Sequence, residues 1–321
     1  MKSHNAFVVG CIRSGTTWLW RSIATHPEVL GIPESHVMVE STPPDLESAE
    51  RIRRQPFWTM LKKQSADLTE LGVRGNPYVV SQPAAWTSEK LFLEILDTGA
   101  RASLMAVHEG MEKQPSWEAV ARDMMAGLDG IRPIILEKTP NHVYSMERLL
   151  GVFPGAKFIG IVRDIRDVWC SIRDLESPWA ARHKDPEVMA LNWVRTVAAM
   201  MQFQERFPDN IQLVRYEDLK VDFRRIMGQI YKLLNLEASS EQLASIDAAN
   251  QFEAYTGRPA GQASSGNFYR RGLAGAYLDE LSPSEAAWFE MRVGKVLTHL
   301  GYPCDSVEKA SLPVACGTMQ A

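Results

Sequence analysis

The sequence has few cysteines, no long apolar run and no strong excess of charge. Four of its 321 residues are cysteines, and no two of them have the spacing of a zinc site or a disulfide framework. We therefore expect reduced thiols and a cytoplasmic location. No window approaches the ~18–20 apolar residues of a membrane span, and a candidate strand begins almost at the N-terminus, so neither a membrane segment nor a signal peptide is predicted.

The charge balance excludes further classes of protein. Lys and Arg number 35 against 39 Asp and Glu, for a net charge of −4, which argues against a protein that coats nucleic acid or anionic lipid. The sequence has no acidic cluster of the kind that holds Mg²⁺, so no metal is expected. A hydrophobic content of 45% suits a globular chain with a buried core, and the length suits one large domain.

Short apolar segments followed by helical patterns predict an α/β fold. Their alternation is typical of parallel strands buried on both faces, so we expect a P-loop-like core with a central parallel sheet flanked by helices. The strand segments are 6–11, 29–32, 133–136, 157–162 and 211–214.

Two regions depart from this alternation. Residues 41–130 carry helix-like stretches around 88–96 and 116–128 and are interpreted as a mostly helical insertion in a single domain, 1–321. Residues 257–275 lack apolar periodicity and predict a long loop. We expect this loop to be mobile until it closes over a bound nucleotide. Ser282 and Pro283 then predict the start of a last helix.

The strongest local motif lies between the first strand and the first helix, where residues 10–17 read GCIRSGTT. Glycines let backbone amides approach an anion, and a helix N-terminus adds donors. A Walker A loop would place lysine where Thr16 stands, whereas here the cation is Arg13, within the loop. This departure counts against an ATPase or GTPase. An ordinary strand–turn–helix is the alternative.

A second motif follows the strand 157–162. Arg163 stands at the strand end and Ser171 lies eight residues later, so both could grip one phosphate. The alternative for Arg163 is an ion pair. We assign Arg166 and Arg173 to ion pairs or to solvent.

Three further positions carry candidate chemistry. Lys138 ends another apolar strand, where it can neutralise charge on a transferring group. His142, four residues on, is either a general base or a helix cap. Glu34 follows the second strand, at the edge where parallel sheets place their ligands. Arg270 and Arg271 precede flexible glycines, which suits either closure over an anion or a basic surface loop.

Taken in this order, the segments resemble the sulfotransferases that use 3′-phosphoadenosine 5′-phosphosulfate (PAPS). That family has a 5′-phosphosulfate loop close to RSGTT, a 3′-phosphate motif of Arg and Ser eight positions apart, a Tyr-Glu-Asp-Leu segment and a late RKGxxGxW loop. In the last of these, Tyr277 stands here in place of tryptophan. The residues that the resemblance assigns to the nucleotide are Arg13, Ser14, Gly15, Thr16, Thr17, Trp18, Arg163, Ser171, Tyr216, Arg271 and Gly272.

The resemblance implies transfer of a sulfuryl group from PAPS to a hydroxyl, less readily an amine, by in-line displacement that leaves PAP. The acceptor would be a small molecule or a carrier-bound group, selected by the insertion 41–130. No metal would be needed, and neither nucleic acid nor membrane would be a partner. The alternatives are a P-loop nucleotide kinase, which would require magnesium, and a catalytically silent nucleotide-binding protein.

The resemblance also indicates candidates for catalysis. The cytosolic branch places its histidine in Lys-Thr-His, whereas this chain has His142 two positions later. Other branches use a glutamate shortly after the first helix, where Glu34 stands, so we favour Glu34 as base with His142 second. Lys138 would assist the leaving oxygen and Arg13 would hold the 5′-phosphate. Trp18 either stacks on adenine or lies in the core.

Overall fold

The computed structural model describes residues 2–36, 38, 116–126, 128–176, 180–262 and 270–304. The predicted helix around 88–96, most of the insertion and the middle of the late loop lie outside these residues. Within them, no helix is both long enough and apolar enough to cross a membrane. Cys11, Cys170 and Cys304 are buried free thiols.

The five predicted strands form one parallel sheet in the order β2-β3-β1-β4-β5. β3 runs past its apolar segment to Lys138, the residue predicted to end it, and the side chains of Glu137 and Lys138 both find partners in the interior. The strands are β1 (His4–Gly10), β2 (Val29–Pro33), β3 (Ile134–Lys138), β4 (Lys157–Val162) and β5 (Ile211–Arg215).

Helices cover both faces of this sheet. Short 3-10 helices span Pro140–Tyr144, Ala181–His183 and Pro208–Asn210. The α-helices of the described residues are α1 (Thr16–Ala24), α2 (Trp117–Ala126), α3 (Met146–Val152), α4 (Ile165–Arg173), α5 (Pro186–Arg206), α6 (Tyr216–Val221), α7 (Phe223–Leu233), α8 (Ser240–Asn250), α9 (Phe252–Thr256), α10 (Tyr277–Glu280) and α11 (Pro283–His299).

Alternate residues of the strands divide the core in two. Phe7 and Phe158 point to the face covered by α2, α3, α4, α5 and α11, while Val8 and Ile159 point to the face covered by α1, α6, α7 and α8. Because side chains alternate along a strand, each central strand is apolar on both faces. The result is a three-layer α/β/α core.

Helix boundaries follow local capping signals. α11 begins where predicted: Ser282 and Glu285 form a capping box, and Pro283 occupies the first turn. α1 follows Gly15, which has no side-chain cap hydrogen bond to offer. The first amides of α1 therefore face the loop that precedes them.

The strand order brings the candidate residues to one edge. β1 lies between β3 and β4; the chain passes from β1 to β2 on one side of the sheet and from β4 to β5 on the other, so the direction of the connections reverses between β1 and β4. Ligands of open α/β sheets bind at such a point, beyond the carboxyl ends of the strands. The 10–17 loop follows β1, Glu34 follows β2, Lys138 ends β3 and Arg163 follows β4. All four meet at this edge.

Arg166 connects α4 to α11 and to the segment that follows α11. Its guanidinium donates to Asp164 at 2.7 Å, to Glu290 of α11 at 2.8 Å and to the carbonyl of Pro303 at 2.9 Å. The side chain is 2% exposed, and it lies 4.1 Å from the ring centroid of Tyr277. The expectation of an ion-pair residue, rather than a ligand, is confirmed at this position.

Replacing Arg166 should destabilise the protein strongly, because two carboxylates would be left buried without their cation. We expect Arg166→Met to lower the free energy of unfolding by about 3–5 kcal/mol in urea titrations. Arg206→Met is the matched control: Arg206 pairs with Glu147 on the surface, where loss of a pair costs about 1 kcal/mol or less. Equal losses in the two variants would contradict the assigned role of Arg166.

Candidate active site

The loop between β1 and α1 is held in a tight turn that requires glycine. Gly15 has φ of 94°, in the left-handed region that other residues adopt at a cost. A Cβ atom there would lie 2.6 Å from Cδ2 of Tyr216. Arg13 also has positive φ, 65°, and the amide of Ser14 closes the turn on the carbonyl of Cys11 at 3.2 Å. The backbone of this turn therefore lies close to the edge of the sheet where the strands end.

The two predicted phosphate motifs are in direct contact. Nε of Arg13 donates to Oγ of Ser171 at 3.0 Å, and Nη1 of Arg163 donates to the backbone carbonyl of Arg13 at 3.3 Å. The residues are 150 or more positions apart in sequence. Three of the predicted nucleotide contacts therefore form one continuous surface.

Arg163 is buried among polar partners. Nη2 donates to the carbonyl of Leu273 at 2.7 Å and to Asp167 at 3.3 Å, and the guanidinium lies 4.4 Å from the ring centroid of Tyr216. Burial by itself lowers the pKa of Arg163, but Tyr216, Asp167 and Glu217 outweigh it and raise the pKa. The group therefore keeps its charge.

Two buried polar atoms at this edge have no hydrogen-bond partner among the described residues: Oγ of Ser14 and Nε of Arg163. Such atoms destabilise the folded protein unless a ligand or water forms the missing hydrogen bonds. A hydroxyl and a guanidinium N–H are the donors that a phosphate accepts from. The chemistry of the loop and its neighbours therefore fits an anionic ligand.

Asp167 attaches the late loop to this surface, a role that was not predicted. Its carboxylate accepts from the amide of Gly275 at 2.8 Å and from the amide of Tyr277 at 2.9 Å, besides its contact with Arg163. The available signal was its position one helical turn after Arg163. Asp167 therefore links the predicted 3′-phosphate residue to the late loop.

The late loop places its predicted residues beside α10. Arg271 pairs with Glu280 at 2.7 Å and donates through Nε to the carbonyl of Gly261 at 3.1 Å. Gly272 has φ of 68°, and a Cβ there would lie 2.2 Å from the ring of Phe252. Gly272 is thus required by packing, whereas the predicted contacts of Arg271 and Gly272 with nucleotide stay predictions.

Trp18 lies in the core beside the site. Its indole N–H donates to the carbonyl of Asn250 at 2.8 Å, and its ring is 5.4 Å from that of Tyr216 and 6.0 Å from that of Phe223. It is 8% exposed. Trp18 therefore holds Tyr216 in place, and stacking on adenine stays a prediction.

Glu34 and Lys138 form an ion pair at the ends of β2 and β3. Nζ of the fully buried Lys138 donates to Oε1 of Glu34, whose side chain is 17% exposed, and Nε2 of His36 lies 3.7 Å from Oε2. Burial by itself raises the pKa of Glu34, but the charge and hydrogen bond of Lys138 and the nearby imidazole of His36 lower it to about 2. The carboxylate is therefore ionised.

The turn that carries Glu34 is strained. Glu34 has φ of 35° and His36 has φ of 58°, and neither is glycine. Each such residue typically costs about 1–3 kcal/mol and persists only where its surroundings hold it. The neighbouring contacts of Ser35 with Glu137 supply that restraint.

His142 lies on the opposite face of β3, against Phe7, with ring centroids 6.1 Å apart. Its Nδ1 is 2.8 Å from Oε2 of Glu137, and neither side chain is exposed by more than 1%. The structure thus brings Glu34 and Lys138 together and places His142 behind them. The choice of base between Glu34 and His142 stays a prediction.

The structure shows a class of protein with a parallel α/β core, in which the loop after β1 lacks the Walker lysine and carries Arg13 instead. The chain belongs to the sulfotransferase family, whose family model matches residues 5–240. No curated protein matches the chain in sequence.

Solved sulfotransferases share the fold. The sulfotransferase domain from the curacin biosynthetic pathway is 18% identical, with 94% of this chain and 98% of that chain covered and a TM-score of 0.52. The sulfotransferase STF9 from Mycobacterium avium is 16% identical, with coverage of 94% and 78% and a TM-score of 0.52. The sulfotransferase domain of the Synechococcus PCC 7002 olefin synthase is 18% identical, with coverage of 94% and 97% and a TM-score of 0.50.

Family membership confirms the predicted enzyme class, a PAPS-dependent sulfotransferase on a P-loop-like α/β fold. It favours this class over the nucleotide kinase. Among the described residues, no group of three or more His, Cys, Asp or Glu side chains is placed to hold a metal ion.

A side chain at position 15 should damage nucleotide binding. In Gly15→Ala, both the backbone conformation and the 2.6 Å approach to Tyr216 oppose the Cβ. We expect PAP affinity, measured by calorimetry, to fall about tenfold or more.

The control for this variant is Gly155→Ala. Gly155 has a similar φ, 87°, with no atom within 4 Å of its Cβ position. It should lose about 1–2 kcal/mol of stability through the backbone alone and keep its PAP affinity. The assigned role of Gly15 would be wrong if both variants bound PAP equally well.

Proposed function

We propose that residues 10–17 hold the 5′-phosphate of PAPS and that Arg163 and Ser171 hold its 3′-phosphate. The observation that carries this is the contact of Arg13 with both Ser171 and Arg163, together with the unpartnered Oγ of Ser14 and Nε of Arg163. Thr16 and Thr17 start α1, where their amides add donors and the helix dipole favours an anion. Tyr216 supports the loop, and Arg271 would approach the phosphate from the late loop.

PAPS supplies the sulfuryl group and its 5′-phosphate is the leaving group. In the step we propose, the acceptor oxygen bonds to sulfur while the bond from sulfur to the bridging phosphate oxygen breaks. Glu34 takes the acceptor's proton, and Lys138 meets the negative charge that develops on the leaving oxygen. When Lys138 turns toward that oxygen, Glu34 loses part of its countercharge and becomes a stronger base.

The acceptor in this proposal is a hydroxyl on a small molecule or on a carrier. A carboxylate beside a lysine suits removal of a hydroxyl proton as charge develops. We assign acceptor choice to the insertion 41–130, of which residues 116–126 and 128–130 are described. Incubation of the enzyme with PAPS and a panel of alcohols and phenols, without metal, tests the function. Acceptor-dependent release of PAP is expected, and binding of PAPS with no release on any acceptor would favour a silent nucleotide-binding protein.

Two glutamine substitutions distinguish the candidate bases. Loss of a positioned base typically lowers turnover about 10²–10⁴-fold with little effect on cofactor binding. We expect that loss in Glu34→Gln and a smaller loss in His142→Gln, with both variants binding PAP as the wild type does. The reverse order of kcat values would make His142 the base.

The pH profile tests the Glu34–Lys138 pair. With a pKa of about 2, Glu34 stays deprotonated at every pH where the folded enzyme is assayed, so kcat/KM should show no acid limb from it. In Lys138→Met the positive charge that contributes most to lowering the pKa of Glu34 is gone while burial still raises it, so this pKa should rise from its wild-type value. Activity should then fall with decreasing pH, about tenfold per unit below the new pKa.

The matched control is Lys157→Met at the other end of the sheet. Nζ of Lys157 donates to the carbonyl of Asp209 at 2.7 Å on the surface, far from the carboxyl ends of the strands. It should keep the wild-type profile. A flat profile in Lys138→Met would exclude Glu34 as the group that Lys138 controls.

A further inference from the structure

Glu137 is a buried carboxylate near the end of β3, directly after three apolar residues, and three hydrogen bonds converge on one of its oxygens. Oε1 accepts from the amide of Ser35 at 2.9 Å, from Oγ of Ser35 at 2.8 Å and from Oγ1 of Thr139 at 2.6 Å. Oε2 faces Nδ1 of His142 at 2.8 Å. A buried charge destabilises the folded protein unless it is paired. The presence of Glu137 at this position therefore calls for a functional reason.

The partners of Glu137 are the chain neighbours of the two proposed catalytic side chains. Ser35 follows Glu34, and Thr139 follows Lys138. The ladder between β2 and β3 ends with the amide of Glu34 donating to the carbonyl of Lys138 at 2.7 Å. Beyond that point, the connection between the two strand ends passes through Glu137 and through the amide of His36, which donates to Oγ1 of Thr139 at 3.2 Å.

We propose that Glu137 is a positioning residue for sulfuryl transfer, which fixes Glu34 against Lys138 by holding Ser35 and Thr139 on one buried oxygen. The proposal rests on the roles given above to Glu34 and Lys138. Glu137 lies on the face of β3 toward Phe7 and His142, behind the ion pair.

The charge of Glu137 is needed for this geometry. Only an ionised carboxylate presents acceptors alone; an amide has one accepting oxygen and one donating nitrogen. In Glu137→Gln, the nitrogen would face either the donors of Ser35 and Thr139 or Nδ1 of His142. Burial by itself raises the pKa of Glu137, but the contact with His142 and the hydrogen bonds of Thr139 and Ser35 outweigh it and lower the pKa.

Strain makes the turn sensitive to this contact. Glu34 and His36 both have positive φ, and Ser35 between them is held through both its amide and its hydroxyl by Glu137. When the contact weakens, the turn can relax toward ordinary backbone angles. The carboxylate of Glu34 would then move relative to Lys138, and a displacement of about 1 Å can cost on the order of 10²-fold in rate.

A double-mutant cycle in kcat tests the proposal. Glu137→Gln should lower kcat about ten- to a hundredfold and leave PAP affinity within about twofold. In the Glu34→Gln background, the same change should lower kcat by less than about threefold, because a residue that acts through Glu34 has nothing left to position. Equal losses in both backgrounds, or a parallel loss of PAP affinity, would show a general structural role and overturn the proposal.

Two further variants serve as controls. Ser35→Ala removes one of the three hydrogen bonds with little change in volume and should reproduce part of the kcat loss, which covers the case in which Glu137→Gln folds poorly. Glu290→Gln alters another buried carboxylate, 2.8 Å from Arg166. It should lower the melting temperature and show no coupling to Glu34→Gln. Coupling as strong as that of Glu137 would contradict the proposed specificity.

Crystal structures with PAP separate this proposal from the assignment of the base. If Glu34→Gln itself keeps the wild-type kcat, the base assignment fails, and the structure of Glu137→Gln then decides the positioning role alone. A Glu34 carboxylate displaced from Lys138, with φ outside the left-handed region, supports the proposal. An unchanged turn and ion pair overturn it.

Discussion

The position of β1 between two parallel neighbours is the constraint on which the site depends. Because β3 and β4 both run parallel to β1, their carboxyl ends meet beside the loop that follows it. An antiparallel neighbour would carry its last residues to the far end of the sheet. Backbone pairing therefore places Lys138 and Arg163 at the same edge of the sheet as the loop after β1. The apolar faces of the strands hold this pairing through the two halves of the core.

Charge compensation follows from that geometry. Parallel strand ends gather cations for an anionic substrate, and each cation must be satisfied in the folded protein as well. Lys138 is paired with Glu34, Arg163 with Asp167, and Arg271 with Glu280. A buried cation without a partner would be costly, so the carboxylates stabilise the folded site. Under the proposed function Glu34 also takes the acceptor's proton, so one carboxylate serves both folding and catalysis.

The sequence predicted the parts of the site that depend on local signals. Apolar runs located the strands, and residues placed directly after them, such as Glu34 and Arg163, were expected at the ligand edge. The contacts of Glu137 and Asp167 were not predicted, because Ser35 and Tyr277 lie 102 and 110 positions away from them. No periodicity encodes such a distance. The one available signal was chemical: Glu137, between the apolar run of β3 and the lysine at its end, must have partners if it is buried.

The contact between Gly15 and Tyr216 sets an asymmetric limit on how this family member can diverge. The ring of Tyr216 occupies the space where a Cβ at position 15 would lie, so a smaller residue at position 216 would remove the collision. The φ of 94° at Gly15 would remain, and it disfavours a side chain whatever the space. Position 216 can therefore drift toward smaller residues while position 15 stays glycine, and a change at 15 is not rescued by a compensating change at 216. Descendants of this sequence can vary the wall of the proposed nucleotide site, but the turn that faces it is fixed by backbone geometry.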